Sequence, residues 1–111
     1  MVEKIVYDYL KDELPCDVYM QRPAKLPDKF VLIEKTGSNR QNRIDSATLA
    51  VQSCAQSLAE AALLNEEVKT AFDRMMELRK IGGVKLNSDY NYTDTASKQY
   101  RYQAVFVVTH Y

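Results

Sequence analysis

Glycine is scarce in this chain. It occurs only at positions 37, 82 and 83, so neither a GxGxxG nor a GxxxxGK[ST] phosphate cradle can be built. Histidine is scarcer still: His110 stands alone, next to the last residue, and no Ser-His-Asp or Cys-His set can be assembled around it. The two cysteines, Cys16 and Cys54, lack CxxC spacing and a histidine cluster, which leaves no zinc site and suggests two free thiols. No apolar run reaches the length of a membrane span, and Glu3 and Asp8 stand where a signal peptide would carry its apolar core. The expectation is a cytoplasmic protein with no membrane partner. Fifteen basic residues balance fifteen acidic ones, which argues against dedicated nucleic-acid binding, whose affinity comes largely from phosphate neutralisation. The carboxylates Glu66, Glu67, Asp89 and Asp94 match no EF-hand or paired-acid spacing. No catalytic, cofactor-binding or metal-ligating residue is therefore expected, and the chain is not expected to be an enzyme.

Tryptophan is absent, whereas tyrosine occurs eight times. Tyrosine suits half-buried strand faces and protein interfaces, because its ring packs while its hydroxyl stays wet. At 111 residues the chain is long enough for one core and too short for two, so a single domain over 1–111 is expected.

The longest periodic stretch runs from Ser57 to Lys80, without Gly or Pro. Leu58, Ala61, Ala62, Val68, Phe72, Met75 and Met76 recur at spacings of three and four, which predicts an amphipathic helix ending at a left-handed Gly82 cap. Val2, Ile5, Val6, Tyr9 and Leu10 predict a shorter N-terminal helix, stopped near Leu14 by Pro15. Strands are expected over Cys16 to Gln21, Phe30 to Thr36, Ile44 to Ser53, Val84 to Tyr92 and Tyr100 to Tyr111. In the last of these Tyr102, Ala104, Phe106 and Val108 face one way, and Arg101, Gln103, Val105 and Val107 the other. Apolar on both faces toward its end, that strand should lie inside the sheet. The order α-β-β-β-α-β-β predicts an α+β fold, with helices packed against one largely antiparallel sheet.

Two features could carry function. One is a pair of polar connections, Gly37 to Arg43 and Thr93 to Lys98, read as long exposed loops in which Arg40 and Arg43 could meet acidic partners. The other is the series Tyr90, Tyr92, Tyr100 and Tyr102, which on facing strands could form a cross-strand ladder or an interface.

Several segments resemble the tail-terminator and head-tail joining proteins of long-tailed, siphovirus-type bacteriophages and prophages. They are FVLIEKTGS (Phe30 to Ser38), IDSATLAVQSCAQS (Ile44 to Ser57) with the helix bearing Ala61 and Val68, and RYQAVFVV (Arg101 to Val108). The resemblance covers most of the chain after Phe30, although that family often carries an aromatic residue at the position of Cys54. It implies a non-enzymatic virion structural protein that forms a homo-oligomeric, hexameric ring in virus assembly, capping the tail tube and docking to the head connector. Its partners would be further copies of itself, the tail-tube protein and head-connector proteins. It would be found in the host cytoplasm during assembly and then in the virion. Arg40, Arg43, Tyr90, Tyr92, Tyr100 and Tyr102 are the candidate interface residues. A second reading is a small nucleic-acid-binding module, using Lys25, Lys29, Lys35, Arg40 and Arg43 of the basic 22–43 region and bases stacked on sheet tyrosines.

Overall fold

A computed structural model describes residues 2–25, 27–42, 44–97 and 99–110. Its elements are α1 (Val2–Glu13), β1 (Asp17–Tyr19), β2 (Phe30–Gln41), β3 (Ile44–Ala55), α2 (Leu58–Arg74), a 3-10 turn (Met75–Glu77), β4 (Ile81–Asn91) and β5 (Tyr100–His110). The order and the α+β class are those expected from the sequence. The five strands form one sheet in the order β1-β2-β3-β5-β4, with only the β1–β2 pair parallel. As expected, β5 lies inside the sheet, between β3 and β4.

Both helices pack on the same side. Ser57 caps α2, its Oγ accepting from the Glu60 amide at 3.2 Å; Ser and Glu three apart open the helix. Ala61, Leu64, Val68, Ala71 and Phe72 are buried against β3 and β5, and the Phe72 ring stacks on that of Phe106 with centroids 3.8 Å apart. Leu64 belongs to this stripe. Leu58 and Met76, assigned to it from their spacing, are 40% and 56% exposed. From α1, Val2, Val6 and Leu10 reach the same core, and the Tyr9 hydroxyl donates to the Ala71 carbonyl at 2.9 Å.

The boundaries depart from the expected ones where tertiary pairing overrides local signals. Regular α-helix stops at Arg74, six residues before Lys80, because the chain must tighten and turn back so that Ile81 can pair with His110. Gly82 and Gly83 therefore lie in β4 and not in a helix cap, and no glycine has a positive φ. The predicted strand end at Gly37 is also wrong: β2 continues to Gln41, past a register shift between Lys35 and Gly37. Gly37 to Gln41 are thus strand and not part of a long loop. Gln41 pairs with Ile44, so two residues connect the strands, and Asn42 takes a φ of 53°, which asparagine tolerates. Ladder pairing over polar side chains extends this hairpin, whose twelve-residue strands span roughly 40 Å and set the 44 Å long axis of the molecule. At its other end β3 runs on to Ala55, beyond the expected Ser53.

Candidate interaction surface

Directly paired residues share a sheet face, so the register assigns every strand residue to one side. Val31, Ile33, Leu49, Val51, Ala104, Phe106 and Val108 face the helices and form the main core. The other face carries Phe30, Leu32 and Glu34 of β2, Thr48, Ala50, Gln52 and Cys54 of β3, and Arg101, Gln103, Val105 and Val107 of β5. No helix covers it. A smaller cluster of Phe30, Leu32, Cys54 and Tyr19 forms at one end of this face, where Met20, Gln21 and Arg22 follow β1.

The tyrosine series divides between the two faces. A register shift between Leu86 and Ser88 inserts one extra residue in β4 and reverses the alternation there. Val84 and Leu86 pair with Val108 and Phe106 on the helix side, whereas Tyr90 pairs with Gln103 on the uncovered side. Tyr92 follows on that side; its amide donates to the Arg101 carbonyl at 2.9 Å. Tyr90 and Tyr92 meet edge to face at 6.0 Å and are 41% and 43% exposed. Tyr100 and Tyr102 pair with Ala55 and Ser53 and point to the helix side. The four do not form one ladder.

Arg40 is exposed in the β2–β3 hairpin, where its Nε pairs with Asp45 Oδ1 at 3.0 Å, so it is already neutralised within the hairpin. Arg43 lies outside the described residues. Among the other lysines and arginines of the 22–43 region, Lys35 lies 3.9 Å from Glu3 of α1, on the helix side. Arg40, opposite Asp45, falls on that same side, so neither residue lies on the face that carries Tyr90 and Tyr92. The second predicted polar connection is held by Asp94, which pairs with Gln99 and accepts from the Ala96 amide at 3.1 Å and the Ser97 hydroxyl at 2.9 Å. These bonds hold the Asp94 carboxyl below the usual carboxylate range. Lys98 of that connection is outside the described residues.

The uncovered face also carries a polar network that no local pattern in the sequence marks. Gln52 donates to Gln103 at 3.1 Å, and Gln103 donates to the Tyr90 hydroxyl, linking β3, β5 and β4 in one row. In the neighbouring row the Arg101 guanidinium lies over the Tyr92 ring at 4.8 Å, and its Nε donates to the Tyr92 carbonyl at 2.8 Å. Arg101 Nη1 also reaches Gln99 Oε1 at 3.2 Å, and Arg22 Nη2 meets that same oxygen at 2.8 Å. Two guanidinium groups thus converge on one neutral amide oxygen. Like charges this close repel by on the order of 1 kcal/mol even in water. The only advance signal was Arg101 itself, on the polar side of β5. Nothing local marks Arg22 or Gln99, which are 77 residues apart in the chain.

Both thiols are pushed up to about 11 by burial, Cys16 beside β1 and Cys54 under the uncovered face. They are protonated at neutral pH, which makes them poor nucleophiles. Among the described residues no group of three or more His, Cys, Asp or Glu side chains could hold a metal ion, and no helix is long and apolar enough to cross a membrane. No protein-family model matches the chain, and a search of curated proteins finds no match.

Proposed function

We propose that this chain is a non-enzymatic assembly subunit of the tail-terminator or head-tail joining type, acting as a ring of identical copies between a tail tube and a head connector. The observation that carries this reading is the two-sided sheet. One face is closed by α1 and α2, while the other carries half-buried Val105 and Val107 beside the small, buried Ala50, with Tyr90 and Tyr92 exposed at its edge. Apolar and aromatic side chains on a solvent-facing sheet are the composition of an interface core. The β2–β3 hairpin adds a second element able to reach a neighbouring subunit. Specificity would be geometric: the subunit presents one surface to the tube and another to the connector.

Native mass spectrometry of the purified chain, alone and mixed with a tail-tube protein, tests this. The expected result is a closed ring in the mixture; a strict monomer at high concentration and no ring in the mixture would overturn it.

The nucleic-acid reading has one observation in its favour, the presence of Tyr90, Tyr92 and Arg101 on one open sheet face. It predicts salt-dependent binding of single-stranded DNA or RNA, and a lack of binding at low salt removes it.

A further inference from the structure

Beside Tyr92 the uncovered face holds a groove of about 450 Å³, lined by Met20, Leu32, Glu34, Gln52 and two arginines, Arg22 and Arg101. We infer that this groove binds a carboxylate side chain from an acidic segment of a partner protein, clasped between Arg22 and Arg101. The inference deepens the assembly reading and rests on it for the partner being a protein.

The two guanidinium groups share Gln99 Oε1 and, among the described residues, neither is ion-paired with a carboxylate. Each keeps N–H donors unused by these contacts, in the planar fork that a carboxylate accepts in pairs. Arg101 is held in place by the Tyr92 carbonyl and ring, so its fork is fixed before a ligand arrives. A carboxylate entering between the arginines would replace repulsion with two charge-assisted contacts, while Met20 and Leu32 offer apolar wall to its methylene groups. Phosphate on a nucleic-acid strand fits less well. One face of the Tyr92 ring already carries Arg101 and Tyr90 meets the ring edge to face, so a base would have to share this small platform.

The test uses the full chain with a fluorescein-labelled peptide of alternating glutamate and leucine, and separately with a labelled single-stranded DNA of twelve nucleotides. Fluorescence anisotropy is measured at low salt, and the arginine Nε–Hε resonances are followed by NMR. The expected result is peptide binding that shifts the resonances of Arg22 and Arg101. R22Q should weaken that binding at least tenfold without changing the melting temperature. R101K should weaken it as well, because the charge stays and the fork is lost, while K11Q on α1 should leave it unchanged. Absence of peptide binding, undiminished binding in R22Q, or tighter binding of the DNA would each overturn the proposal. Unshifted arginine resonances on peptide binding would do so without any substitution. The measurement needs neither a ring nor a tail-tube protein, so its failure is distinct from failure of the assembly reading.

Discussion

Phe72 is the residue on which the core closes. It is fully buried, stacked on Phe106, and sits where α2 crosses β5. Truncation by Phe72→Ala should cost about 3–5 kcal/mol in a urea titration, since a cavity would remain between a helix and a sheet that cannot collapse together. A nearby residue works the other way. Ser53 is buried on the helix side and, among the described residues, its Oγ has no hydrogen-bond partner; Asn65 Oδ1 on α2 shares that condition. Ser53→Ala removes a desolvated hydroxyl that gains nothing, so it should leave stability unchanged or raise it by about 1 kcal/mol. A clear loss in the urea midpoint would mean that the hydroxyl is bonded after all. The thiols give a pH test. Their pKa values are raised by burial from 9.0 to about 11, so the unfolded chain releases these protons at lower pH than the folded one. Stability should be intact below about pH 9, fall between 9 and 11, and level off above that range. Iodoacetamide at pH 8 should alkylate both thiols much faster in denaturant than in the native protein.

At the scale of elements, the β2–β3 hairpin depends on its two-residue connection. Asn42 has a positive φ, which a β-branched residue resists. Asn42→Val should therefore cost roughly 1–2 kcal/mol, with hydrogen exchange accelerating first between Ser38 and Ala47, while Asn42→Gly should be tolerated. This hairpin also illustrates what could be read in advance. The apolar half of β2, Phe30 to Ile33, and the buried alternation Ala47, Leu49, Val51 were legible because burial imposes a period on the sequence. The outer half was not, because Ser38 to Gln41 are held by ladder bonds whose donors and acceptors are backbone groups common to every residue. The same limit hid the facing of Tyr90 and Tyr92. Their spacing from Val84 and Leu86 is even, and only the extra residue between Leu86 and Ser88, a product of pairing with β5, turns them to the opposite side. The glycines at 82 and 83 misled for a related reason: their freedom fits a helix cap, but the sheet had prior claim on the segment.

For the molecule as a whole, helix placement decides which surface is available. With α1 and α2 both on one side, the five-stranded sheet has one dry face and one open face, and the arginine groove, the tyrosine pair and the valines of β5 all lie on the open one. The proposed assembly role therefore requires that face to be an interface between protein subunits. Its most direct test is sedimentation velocity of Val105→Glu/Val107→Glu alongside the unaltered chain, each with and without a tail-tube protein, with melting temperatures recorded in parallel. The substitutions place charge on the uncovered side of β5, away from the core. The expected result is a folded variant with nearly the same melting temperature that stays monomeric where the unaltered chain associates. A variant that assembles as well as the unaltered chain would contradict it.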